Sequence, residues 1–212
     1  MNINLSATVL YVSKNNITKA QIEQKLKSKH EQRVFFDVNF SGLDLSGMDF
    51  SDAVFINVSI DKTVFKGADL HSARFYECSV TDTDFSLADL TKAKFIKGDL
   101  SHSVFEKAKM DNVEVYGLTF WNNDVSNASS QKSRFVRTDL ADSSFDGSDL
   151  QSSDFSTAFY DYTSFVGANC RKSLFSYEPR SDYADFENAD ITGAMMFKDE
   201  AVPVGEAIKE DG

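Results

Sequence analysis

The side chains able to do chemistry are few in this 212-residue sequence, and their spacing works against any shared reaction. There are three histidines, His30, His71 and His102, and no spacing between them would bring two onto one metal ion. The only two thiols, Cys78 and Cys170, lie 92 positions apart. Acids are plentiful, at 33 Asp and Glu, but many, such as Asp69, Asp89 and Asp149, fall on a regular step that makes them part of a pattern. Pairs drawn from such a pattern carry little weight as general acids and bases, and no nucleophile with its base can be picked out. No phosphate loop or dinucleotide fingerprint is present; the glycines of GLDLSG, Gly42 and Gly47, sit one step of the same pattern apart. The expectation is a protein without catalytic residues, metal or cofactor.

The pattern counts in fives. In TDLADSSFDGSDLQSSDF, residues 138–155, the apolar positions are Leu140, Phe145, Leu150 and Phe155. From Phe35 to Phe175 every fifth residue is apolar, with one exception at Ser130. The residue two places earlier is usually small, as at Ala53, Ala68, Ala88 and Ala168. After SYEPRSDY, residues 176–183, the pattern resumes one residue out of phase at Phe186, Ile191 and Met196. A step of five spirals around an α-helix and alternates sides on a flat strand, so neither element buries it. A chain that bends once per repeat and stacks coil on coil does.

ADLHS, ADLTK, TDLAD, SDLQS and ADFEN fit the motif small, Asp/Asn, Leu/Phe, Ser/Thr, any. In this the sequence resembles the pentapeptide-repeat family over about 145 residues. The resemblance implies an all-β solenoid: a right-handed quadrilateral β-helix with four pentapeptides per coil, about eight coils, and both the central and the second-preceding side chains inward. Residues 35–198 would form it. Some acidic members of that family imitate duplex DNA and occupy the DNA-binding saddle of type II topoisomerases, DNA gyrase or topoisomerase IV, protecting them from inhibitors, and the resemblance implies the same role as one expectation here.

Stacking residues twenty apart tests the implied coil. One column reads Phe35, Phe55, Phe75, Phe95, Val115, Phe135, Phe155, Phe175, and the opposite one Leu45, Phe65, Phe85, Phe105, Val125, Phe145, Phe165. The other two are mainly aliphatic or small, so large and small side chains alternate around the square. Residues 115–130 break the rule: both phenylalanine walls shrink to valine while Phe120 appears on an aliphatic wall, Leu118 and Asn123 stand where small residues belong, and Ser130 puts a hydroxyl on the axis. Roughly conserved volume favours simple repacking; the alternative is a deformed coil that presents Trp121. Cys78 and Cys170 fall at inward phases about 22 Å apart along the axis, too far for a disulfide, and read as reduced core fillers.

Residues 1–34 stand outside the repeat. SATVLYVS is strand-like, and Thr18 with Gln21 forms a capping box, flanked by the staple pair Ile17 and Ile22, that predicts a helix near residues 19–31. That helix would cover the open first coil, its lysines forming a solvated face. Residues 199–212 read as an acidic tail. The opening MNINLSATVLYVSKNN shows neither a secretory pattern nor a membrane span, which gives the cytoplasm as the expected compartment.

Net charge is −11, and it is uneven. Residues 1–34 hold six Lys/Arg against two acids, whereas residues 138–212 hold five against 16. Such a field repels phosphates, so direct nucleic-acid binding is not expected; it attracts basic protein surfaces. Asp139, Asp149 and Asp154 are the candidate partner-binding acids. A duplex as long as eight coils would carry about 22 charges, twice what the chain has. The second candidate surface is an outward column, Phe36, Ile56, Tyr76, Ile96, Tyr116 and Val136, where the motif prefers Ser or Thr. Contiguous apolar surface marks an interface, here covered by the N-terminal segment or, preferably, by a second copy in a homodimer. Two functions of different kind remain open: a topoisomerase-directed DNA mimic, and a protein-interaction scaffold or secreted effector using the apolar stripe.

Overall fold

A computed structural model describes residues 10–11, 17–27, 33–176, 183–198 and 200–203. The inward residues force the path of the chain. From Phe35 to Phe175 each central residue turns inward and is buried, as are most of the small residues two before them, so the backbone must bend after every fifth residue. The bend uses the left-handed region at the second residue after most centres, with φ of 55° at Asp37, 52° at Asn57, 53° at Glu77 and 57° at Lys97. That conformation is costly for side-chain-bearing residues, and the motif supplies a local support for it. On faces 2, 3 and 4 an Asp or Asn before the centre often accepts a hydrogen bond from the backbone N–H two residues on, as Asp44 does from Ser46 at 3.0 Å and Asp69 from His71 at 3.0 Å, whereas the face 1 centres Phe35, Phe55, Phe75 and Phe95 follow Val34, Val54, Arg74 and Lys94. The Ser46 hydroxyl also donates to Asp44, and these bonds hold that carboxyl below its usual range.

Coils then stack in parallel with an offset of twenty. The strands are β1 (Leu10–Tyr11), β2 (Val34–Phe36), β3 (Val54–Ile56), β4 (Arg74–Thr81), β5 (Lys94–Ser101), β6 (Glu114–Tyr116), β7 (Arg134–Val136), β8 (Asp154–Phe155), β9 (Leu174–Ser176), β10 (Met195–Lys198) and β11 (Glu200–Pro203). They form one sheet in sequence order, parallel except for the final β10–β11 hairpin. This sheet is face 1 of the square, centred on the Phe35 column. Faces 2, 3 and 4, centred on Phe40, Leu45 and Phe50, are joined mostly by single parallel bridges such as Asn39 to Ser59, Asp44 to Val64 and Asp49 to Asp69. The architecture is the quadrilateral β-solenoid of about eight turns that the repeat implied.

The core is a pair of ring stacks. On face 1, Phe55 and Phe75 lie 4.5 Å apart and 2° from parallel, and Phe75 and Phe95 4.5 Å apart at 5°. On face 3, Phe85 stacks on Phe105 at 4.9 Å. Where Val125 interrupts the second stack, Phe120 reaches in from face 2 and takes the vacant place, 5.7 Å from Phe105 and 6.3 Å from Phe145. The buried hydroxyls at the small positions reach back to carbonyls of the preceding coil, as Thr83 Oγ1 does to Ile60 O at 2.8 Å and Ser153 Oγ to Ser130 O at 2.6 Å. Asn123 joins this ladder, donating to Leu100 O at 2.9 Å and accepting from Ser103 N–H at 2.8 Å. Ser130 does not: its buried Oγ has no hydrogen-bond partner among the described residues.

Both ends of the solenoid carry caps. Helix α1 (Lys19–Leu26) begins at Thr18 with the capping box to Gln21 in place, and Ile17 and Ile22 are buried in the core. Residues 28–31 of the expected helix lie outside the described residues. Arg33 grips Asp49 with both guanidinium nitrogens, at 2.8 and 3.0 Å, and holds that carboxyl well below the usual range, so this pair persists on acidification after ordinary carboxylates protonate. At the other end the phase change adds one residue: Ser164 bridges to Asp185, and Phe186 stacks on Phe165 at 4.7 Å. The segment read as an acidic tail contains strand β11, which pairs antiparallel with β10 at the end of the sheet.

Two stability predictions follow from this packing. Phe120→Leu alone should cost roughly 1 kcal/mol or more by leaving a cavity, and Val125→Phe alone about 1–3 kcal/mol by overpacking, whereas the double variant restores the regular stack and should melt close to the wild type. Ser130→Ala removes an unpaired buried hydroxyl and should raise the melting temperature by a few degrees, about 1 kcal/mol. Differential scanning calorimetry of the four variants checks both.

Candidate functional site

Because inward positions are fixed by packing, any recognition must come from the outward rows, and the fold sorts these by face. Face 2 carries Asp61, Asp82, Asp99, Asp139, Asp142 and Asp161 against Lys62 alone. Face 3 carries Asp44, Asp84, Glu106, Asp124, Asp146, Asp185 and Glu187 against Lys66 and Lys107. These adjacent faces therefore hold 13 carboxylates against three cations, a net of −10. Face 4 mixes seven acids with five cations. The charge imbalance seen along the chain is thus, in three dimensions, also an imbalance between sides of the rod.

Aromatic side chains punctuate the acidic side. Trp121 on face 2 is 45% exposed, and its Nε1–H donates to Asp142 Oδ2 at 2.8 Å while the His102 ring meets it edge-on at 5.8 Å. Phe159 and Tyr162 are exposed further along, and Tyr162 stacks on Tyr183 at 4.7 Å. The repacking around Phe120 and the exposure of Trp121 occur together in one coil, so the two readings of residues 115–130 are not exclusive. Phe159, Tyr162 and Tyr183 escaped the sequence reading. The available signal was an aromatic at an outward phase, where the motif takes polar residues.

The apolar column is assembled as its spacing demands. Phe36 pairs with Ile56, Ile56 with Tyr76, Tyr76 with Ile96, Ile96 with Tyr116 and Tyr116 with Val136, each on adjacent strands of face 1. Its residues are half-buried except Tyr116, which is exposed. The described N-terminal elements do not lie across it. Strand β1 adds to the sheet edge, with Tyr11 paired to Phe36, so it lengthens the ladder; α1 packs on the open end of the core. A strand satisfies more backbone hydrogen bonds at an edge than it could across side chains, which decides its place.

The three candidate acids are not brought together. Asp139 lies on face 2, Asp149 on face 4 and Asp154 on face 1. Each carboxylate is also held by its own turn: Asp139 accepts from Ala141 N–H, Asp149 from Gln151 N–H and Asp154 from Ser156 N–H. No flat partner surface can touch all three. Both thiols are buried and free, and burial pushes each up to about 12. Among the described residues, no cluster of three His, Cys, Asp or Glu could hold a metal ion, and no helix is long and apolar enough to cross a membrane.

Comparison with known proteins places the repeat. Residues 31–105 match the family model described as a pentapeptide repeat region. No curated protein matches the chain in sequence. Among solved structures, a trypsin-treated variant of QnrB1, a plasmid-mediated fluoroquinolone resistance protein, superposes with a TM-score of 0.53 at 19% identity, over 78% of this chain and 84% of that one. HetL from the cyanobacterium Nostoc, a pentapeptide repeat protein involved in heterocyst differentiation regulation, gives a TM-score of 0.47 at 15% identity over 85% and 94% of the two chains. The register begun within residues 31–105 continues without a break to Phe175 and, one residue out of phase, to Met196, so the pentapeptide repeat matched by the family model runs on through the rest of the solenoid.

Proposed function

We propose that the chain is a non-enzymatic protein-binding β-helix whose faces 2 and 3 dock, as a DNA mimic, on the basic DNA-binding surface of a type II topoisomerase, DNA gyrase or topoisomerase IV. The observation that carries this reading is the net −10 gathered on two adjacent faces. A duplex of about 38 Å carries about 22 phosphates, and a partner approaching from one side meets roughly half of them. The acidic side of the solenoid offers nearly that number over the same length, so the deficit in total charge is not a deficit where contact occurs. QnrB1, a fluoroquinolone resistance protein, shares the fold, which supports the same direction of search. Trp121 within the acidic field suits an arginine or lysine of the partner, since an indole face attracts cations.

Gyrase supercoiling measured with and without a fluoroquinolone tests the reading. Added protein should either inhibit supercoiling or relieve the drug's block. Changing Asp82, Asp99 and Asp139 together to Asn should weaken that effect about ten-fold at low salt, because Asn removes the charge at nearly constant size and at position 139 can still accept the turn hydrogen bond from Ala141 N–H. Asp149→Asn, on face 4, should change it little. If wild-type protein affects neither gyrase nor topoisomerase IV, the topoisomerase assignment fails.

A further inference from the structure

We infer that face 1 is a second, independent docking surface, shaped for a single amphipathic α-helix of a partner protein that carries acidic residues along both flanks. Face 1 differs from the rest of the molecule in three ways. It is the one continuous sheet, it presents aliphatic and aromatic side chains outward, and it is locally basic. From Ile56 to Val136 the rungs carry Arg74, Lys94, Lys97, Arg134 and Arg137 against Glu77 and Glu114, a net of +3 in a chain of −11. Lys94 pairs with Glu114 at 2.8 Å, and Lys97 approaches Glu77 at 3.9 Å. Arg74 and Arg137 form no ion pair among the described residues. They stand on opposite sides of the stripe, Arg74 before its rung's central Phe75 and Arg137 beyond Val136 at the corner.

Dimensions choose the occupant. Five rungs, separated by four steps of about 4.8 Å, make a stripe about 19 Å long, and three strand residues make it about 10 Å wide. A helix is about 10 Å across and needs about 13 residues to run 19 Å. An added strand is excluded because the stripe is a sheet face, where a strand laid across the side chains would find no backbone hydrogen-bond partners. A second copy fits poorly on two counts. The stripe covers about 190 Å², whereas a stable dimer buries about 800 Å² on each partner. Face-to-face self-association would also set a +3 surface against itself. Arg74 and Arg137 are three rungs apart, about 14 Å, which corresponds to about nine residues of helix and so to acidic partners on opposite flanks.

The probe is a fluorescein-labelled 13-residue peptide with Leu at i, i+3, i+4 and i+7 spacing and Glu on both flanks, compared with the same peptide bearing Lys there. Fluorescence anisotropy with the full chain should give saturable binding of the Glu peptide and about ten-fold weaker binding of the Lys peptide. Ile96→Lys should weaken the Glu peptide about ten-fold or more, and Arg74→Glu with Arg137→Glu should reverse the peptide preference, circular dichroism confirming that each variant stays folded. The face 2 variant with Asp82, Asp99 and Asp139 changed to Asn should bind the Glu peptide as the wild type does, which separates this surface from the acidic one. No binding of the Glu peptide, equal binding of both peptides, or indifference to Ile96→Lys overturns the inference. So does a dimer in light scattering that Ile96→Lys dissociates, which would give the stripe to a second copy.

Discussion

The molecule depends on rings stacking at the spacing of a parallel sheet. Coils hydrogen-bonded in parallel lie about 4.8 Å apart, close to the separation at which aromatic rings pack face to face. The centroid spacings of 4.5 Å between Phe55 and Phe75 and 4.8 Å between Phe135 and Phe155 show both requirements met by one geometry. Remove a ring and the column must be refilled from elsewhere, as Phe120 does beside Val125. The inward rows therefore have little freedom to serve function, and recognition is confined to what lies outside.

That confinement gives the aspartates two tasks. Motif carboxylates such as Asp44 and Asp49 accept a backbone N–H two residues on, just before a left-handed corner, so their side chains are engaged before any partner arrives. Their charge is still free to act at a distance. This is why single acids of the repeat say little about chemistry, while their distribution over faces says a good deal about the sign of the surface a partner must have. The field arises from residues whose first role is to turn the chain.

Face 1 and the acidic side show how one scaffold can offer two unlike surfaces. Both use the same backbone positions, one before and one after each central residue. Only the side chains differ: Ile56, Tyr76 and Ile96 on one side of the rod, Asp61, Thr81 and Ser101 on the next. A rigid rod keeps these surfaces at a fixed angle to one another, so binding on one side leaves the geometry of the other unchanged.

The five-residue step of the sequence alone determined the solenoid, its four-sided coil, the opposed phenylalanine walls, the apolar column and the one-residue phase change near residues 176–183. Each follows from inward packing at a fixed period, a local rule repeated along the chain. The capping box at Thr18 and Gln21 was legible for the same reason, being a contact within four residues. Which outward residues share a side follows from the same register, but acids chosen for their nearness along the chain are separated once it coils. Asp139, Asp149 and Asp154 sit near one another in sequence, yet the chain turns at each corner between them and carries them to three faces. The place of β1 at the sheet edge, the filling of the Val125 gap by Phe120 and the unpaired hydroxyl of Ser130 were decided only by the tertiary structure, between coils, where partners are about twenty residues apart and hydrogen bonds and volume compete across the core.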